Sequence, residues 1–217
     1  MLHDPIKATV LSVRIISNVD PGVAEAFNLR PDQKSIGLVT TDLDDVSYTA
    51  LDEATKKAEV EVVYAKSFYG GAVNANSKLA GEFIGIIAGK TPDQVRSGLN
   101  AMIEFIENDA CFYSANEDDS ICYYAHTISR TGSYLSQVAN IAEGEAIAYL
   151  IAPPMEAMYS LDAALKAADV KMAAFYGPPS ETNFGGGLLT GSQSACKSAC
   201  EAFKDAVISI ANNPKVF

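Results

Sequence analysis

The segment LDEATKKAEVEV, beginning at Leu51, returns as LDAALKAADVKM, beginning at Leu161. Each copy reads as an amphipathic helix with an aspartate near its start, followed by a strand that runs into an aromatic pair. A chain that repeats such a unit is constrained to fold as two copies of one domain, because each copy has the same apolar faces to bury. The repeat extends in both directions. VRIISNVDPGVAEAFNL answers AHTISRTGSYLSQVANI as strand, turn and short helix, and SIGLVTTD answers AIAYLIAP as a strand.

Each half closes on a longer helix. In the first, Thr91-Pro92-Asp93-Gln94 supplies an N-cap, a proline at the first helical position and a capping-box partner. Its expected buried stripe is Val95, Leu99, Ile103 and Ile106, answered by Ala199, Phe203, Val207 and Ile210, with ends near Asn108 and Asn212. The polar run Ser114–Ser120 reads as a linker. The expectation is therefore an α+β fold of two homologous domains, residues 1–113 and 114–217, each a small, mostly antiparallel sheet with helices packed against it.

With 48% apolar residues the chain can bury a core. Apolar runs such as Phe83–Ala88 fall far short of the roughly 20 residues of a membrane helix. MLHDPIKATV has no apolar segment behind a basic one, so an export signal is not expected and a cytoplasmic protein is. The formal net charge is −11, without a Lys/Arg cluster, which disfavours nucleic acid and anionic membranes as partners. Cys196 and Cys200 sit four apart on the apolar stripe of the last helix, so they read as buried reduced thiols, not metal ligands.

Phe-Tyr-Gly occurs twice, in KSFYGGAVNANSKLAGEFIGIIAG and AAFYGPPSETNFGGGLLTG, each time before a glycine-rich stretch. Neither stretch has the spacing of a phosphate loop, and NFGGGLLTG leads into a strand, where no helix dipole awaits a phosphate. His126 stands in a strand-like run without a nucleophile elbow, and His3 is terminal, so neither a triad nor a two-histidine zinc site is expected. The carboxylates are more informative. Asp42, Asp44 and Asp45 crowd a strand end, and Glu82 stands alone in an apolar segment. Such a group suits two-carboxylate hydrolysis, the holding of an ammonium ion, or simply a solvated strand end. Aligning the halves sets Glu82 against a glycine near Gly187 and TTDLDD against LIAPPM, so a carboxylate site would occur once per chain.

Long strings carry a resemblance: SIGLVTTDLDDVSYTALDEATKKAEVEVVYAKSFY, GLNAMIEFIEN, SRTGSYLS, PPSETNF and LTGSQSACKSAC. From about Val10 to Pro214 the chain resembles the tandem-domain shell proteins of the ethanolamine-utilisation bacterial microcompartment. The resemblance implies two circularly permuted shell domains, a non-enzymatic structural role in that organelle's shell, and no cofactor or metal. It implies a homotrimer that tiles with other shell proteins, a gated central pore, and smaller pores that bind ethanolamine. The pore loops it implies are Ser67–Lys78 and Gly177–Gly187, with Tyr69, Gly70, Gly71, Asn183, Phe184 and Gly185 at the constriction. The ethanolamine site it implies comprises Asp44, Asp45, Glu82, Phe112 and Thr182, with Asp44 and Glu82 on the ammonium group. Cobalamin is a conceivable cargo, and an ethanolamine-sensing regulator without transport is the alternative reading.

Overall fold

The computed structural model describes residues 3–69 and 77–215. Its strands are β1 (Pro5–Ile6), β2 (Val10–Ile16), β3 (Ser35–Thr41), β4 (Val60–Ser67), β5 (Phe83–Gly89), β6 (Phe112–Ser114), β7 (Cys122–Ile128), β8 (Ala146–Ala152), β9 (Val170–Tyr176) and β10 (Gly185–Gly191). Its helices are α1 (Pro21–Ala26), α2 (Asp44–Lys57), α3 (Pro92–Asn108), α4 (Ser133–Ala139), α5 (Pro154–Ala167) and α6 (Gln193–Asn212). Two compact units form. The first holds Ala8–Ala110 with Gly132–Leu135, and the second holds the described residues up to Lys7, Cys111–Thr131 and Ser136 onwards.

The first unit is an antiparallel sheet in the order β2-β3-β5-β4. Its central strands, SIGLVTT and FIGIIAG, are buried almost throughout because both faces are covered. On one face Gly37 lies so close to Val95 and Leu99 of α3 that a Cβ would sit 2.7 Å from each. On the other, Ile36, Ile86 and Ala88 gather Phe27, Leu29 and Val63. Burying an Ile or Leu side chain in this way stabilises the fold by roughly 1.5–3 kcal/mol. α3 begins as its sequence requires, with the Thr91 hydroxyl accepting from the Gln94 amide and Pro92 in the first turn. Its stripe differs slightly from expectation. Met102 is fully buried and Ile103 only half-buried, since the contact face drifts around a straight helix.

The second unit repeats this topology, in the order β7-β8-β10-β9, with β1 and β6 added beside β7. β8 is buried along its whole length, and α5 and α6 bring Leu161, Ala199, Phe203 and Val207 onto Ala148, Leu150 and Leu189. Cys196 and Cys200 are buried free thiols in the same core, with Cys200 pushed up to about 12 by burial. Ile210 is only half-buried.

Two expectations are corrected here. Ser114–Ser120 is not a linker but the turn of the β6–β7 hairpin, in which Tyr113 faces Tyr123 and Ser114 faces Cys122. The Asn116 side-chain oxygen accepts from the Ile121 amide across that turn, and turns and linkers share the same polar composition. The equivalence of the halves also shifts. Phe83 and Gly185 both open the third strand of their sheets, which sets Glu82 against Phe184 and not against a glycine near Gly187.

Candidate functional site

Thr41 ends β3 opposite Phe83 at the start of β5, so the next residues outward, Asp42 and Glu82, face one another past the end of the ladder. The Glu82 amide donates to the Thr41 carbonyl at 2.9 Å. Gly81 makes this turn possible. Its φ is +66°, and a Cβ there would lie 2.0 Å from the Thr41 oxygen, so no other residue fits. Asp42 is fixed by Thr9, whose amide donates to its carboxylate at 2.5 Å.

Asp44 and Asp45 do not end a strand, as the sequence suggested; they form the first turn of α2. The N-cap is Leu43, which offers no side-chain acceptor. Two carboxylates in the first turn supply the negative charge that the helix dipole favours there. Both are buried, and Asp44 accepts from the Asp45 amide at 2.9 Å. Below them Ser47 and Thr41 share a 2.6 Å hydroxyl contact, and the Ser47 hydroxyl donates to the Leu43 carbonyl.

Among the described residues no donor compensates Glu82 in this way. Burial pushes its carboxyl above the usual range, and the charges of Asp44 and Asp42 push it further. A cation is the partner this electrostatic arrangement favours. Tyr48, one turn into α2, stands beside the acids with its hydroxyl 2.8 Å from that of Ser67. Burial, then Asp44 and Asp45, holds its proton on, so Tyr48 remains a neutral hydroxyl. Asp42 was noticed in the sequence without being placed in the site, and Tyr48 was missed. The one available signal for Tyr48 was its spacing of three and four from Asp45 and Asp44 on a helix.

Phe112 and Thr182 belong to the second unit. Phe112 is buried on β6, its ring 5.3 Å from Tyr124 and edge-on to Phe184 at 6.0 Å. Thr182 is buried in the loop before β10, where Ser180 donates to the Phe184 carbonyl at 2.8 Å. In that loop Asn183 is exposed at φ +68°, Phe184 is half-buried and Gly185 is buried. Tyr69 is exposed beyond β4, while Gly70 and Gly71 lie outside the described residues. His126 stacks on Tyr124 within β7, with ring centroids 5.6 Å apart. Among the described residues no helix is long and apolar enough to cross a membrane.

A sheet order and helix pattern used twice define a tandem-domain protein, and residues 35–116 match the BMC domain. Over the full length of both chains the protein is 66% identical to the bacterial microcompartment shell protein EutL of Clostridium perfringens. It superposes on the crystal structure of ethanolamine utilization protein EutL from Leptotrichia buccalis with a TM-score of 0.98, at 66% identity and full coverage of both chains. The trimeric shell protein PduB shares the fold at 18% identity, with a TM-score of 0.78 over 94% of this chain and 89% of that one. The chain belongs to the EutL family of bacterial microcompartment shell proteins. That family is structural, not enzymatic.

Proposed function

We propose that this chain is a homotrimeric tile of the ethanolamine-utilisation microcompartment shell, built of shell domains 1–113 and 114–217, and that it binds ethanolamine. Asp44 and Glu82 receive the ammonium group with Asp45 beside them in the site, and the Phe112 backbone and Thr182 are the groups for the hydroxyl end. The central pore is lipped by Tyr69, Gly70 and Gly71 and by Asn183, Phe184 and Gly185. It passes small metabolites or a bulkier cargo of cobalamin size. The observation that carries the binding proposal is Glu82, half-buried against two further carboxylates and held above its ordinary pKa. An ammonium ion relieves that repulsion and gains charge-assisted hydrogen bonds.

Calorimetry of ethanolamine binding to the wild type and to Glu82→Gln tests this reading. Hydrogen bonds to charged groups contribute about 1.5–3 kcal/mol each. The variant is therefore expected to bind about tenfold more weakly, or worse, with its assembly intact. Unchanged affinity would remove Glu82 from the site.

A further inference from the structure

The first turn of α2 carries Asp44 and Asp45, both buried, with Glu82 near enough to feel the charge of Asp44. Like charges repel, and Leu43 at the N-cap gives this helix no side-chain acceptor. The turn is held from the other side, by Tyr48. Its hydroxyl lies 2.8 Å from that of Ser67, and Phe83 meets its ring edge-on at 4.9 Å. Tyr134 stacks on the ring at 6.5 Å, with the two planes 18° apart. Tyr48 is thus fixed by three partners.

Tyr134 comes to α2 from far along the chain. Its segment, Gly132–Leu135, belongs to the first compact unit, although the residues on either side of it belong to the second. Asp52, one turn beyond Tyr48, accepts from the Gly132 and Leu135 amides at 2.8 Å each and so pins both ends of the segment to the helix. A Cβ at Gly132 would lie 2.3 Å from the Thr55 hydroxyl and 2.7 Å from the Asp52 carbonyl oxygen, so this close seat requires glycine. Tyr134 stands between the two pinned ends.

The repeat shows that the domain does not need this arrangement in order to fold. Met158 answers Tyr48, Gly185 answers Phe83, and Gly22 answers Tyr134, the last by the register of Asn28 and Asn140, both at φ 52°. Pro154, Met155 and Phe184 answer Asp44, Asp45 and Glu82. A packing element that every copy of the domain required would recur. The three aromatic residues occur once, as the acids do. We propose that Tyr134 is a positioning residue of the ammonium site, which by stacking on Tyr48 holds the first turn of α2 where Asp44 and Glu82 share one ammonium group. This rests on the ethanolamine-binding reading above. Tyr134 acts through the Tyr48 ring and not on the ligand. Without it the ring gains rotamer freedom, the tether to Ser67 loosens, and the first turn relaxes away from Glu82 under the mutual repulsion of the acids.

The test is calorimetry of ethanolamine binding to the wild type, Tyr134→Leu and Tyr134→Phe, at a temperature where circular dichroism shows each to be folded, so that lost stability alone cannot lower the affinity. Tyr134 is half-buried, and leucine keeps apolar bulk there without the flat face. Tyr134→Leu is expected to bind about three- to tenfold more weakly, the loss of one aromatic pair, and Tyr134→Phe as the wild type does. In a Tyr48→Leu background Tyr134→Leu is expected to cause no further loss. Ser67→Ala, which breaks the tether from its other end and leaves α2 unaltered, gives the same cycle should Tyr48→Leu fail to fold. Unchanged affinity in Tyr134→Leu, with only a lower denaturation midpoint, makes Tyr134 a packing residue and overturns the proposal. A full additive loss in the Tyr48→Leu or Ser67→Ala background overturns it as well. A wild type that binds no ethanolamine overturns both this proposal and the reading beneath it, whereas binding weakened by Glu82→Gln but not by Tyr134→Leu overturns this proposal alone.

Discussion

Replacing Asp52 with alanine removes the two acceptors that hold the start of α4 on α2. The carboxylate is fully buried and takes the Gly132 and Leu135 amides at 2.8 Å each, with the Lys56 ammonium 3.6 Å away. Burial raises its pKa in spite of these donors, so the negative charge itself is costly and the acceptors are what stabilise the fold. In Asp52→Ala two buried amides lose their partners, at about 1–3 kcal/mol each, offset in part by the carboxylate desolvation no longer required. The expected loss is about 2–4 kcal/mol. Asp52→Asn keeps one acceptor and sheds the charge, so its loss is expected at about half that. Urea denaturation followed by circular dichroism measures both. Asp162→Ala, at the repeat-equivalent position, is the control: its carboxylate is exposed and paired with the exposed Lys166, and the midpoint should hardly move. An Asp52→Ala variant within about 0.5 kcal/mol of wild type, the range of ordinary surface changes, would refute the reasoning.

Two further outcomes follow from single groups. The Ser160 hydroxyl is buried in α5 without a hydrogen-bond partner among the described residues, and the first half has Ala50 at the equivalent place, so Ser160→Ala should stabilise the protein by about 1 kcal/mol in the same denaturation assay. Glu82 has its folded-state pKa raised, so its proton favours the folded, ligand-free protein at low pH, and that contribution is lost as pH rises through the raised value. Cation binding has the opposite sign. Ethanolamine affinity should be full above the raised pKa, fall as pH drops through it, and be accompanied near it by proton release, which calorimetry in buffers of different ionisation enthalpy detects.

Much of the architecture was legible because the chain states it twice. Paired apolar runs located β3 with β8 and β5 with β10, and Thr91-Pro92 marked the start of α3 correctly. The errors arose where composition has two structural meanings. A polar run is a turn as readily as a linker, which hid the β6–β7 hairpin. Aspartates after a strand also begin helices, which hid the role of Asp44 and Asp45 in the first turn of α2. The second half is not wholly without that feature, since Glu156 occupies the first turn of α5. Asp52 was read only as part of a repeated helix, because its amide partners lie about 80 residues away and no local pattern announces a contact at that separation. The acid group itself was visible as residue types. What the sequence could not supply was the φ of Gly81, which sets Glu82 beside Thr41, where burial first and then the charges of Asp44 and Asp42 raise its pKa.

The ammonium-binding role of this carboxylate group is tested most directly by a crystal structure of the protein soaked with ethanolamine. The ligand nitrogen is expected within hydrogen-bonding distance, about 2.7–3.1 Å, of the Glu82 and Asp44 carboxylates. Ethanolamine bound elsewhere, or seated here with its hydroxyl and not its nitrogen toward Glu82, would contradict it.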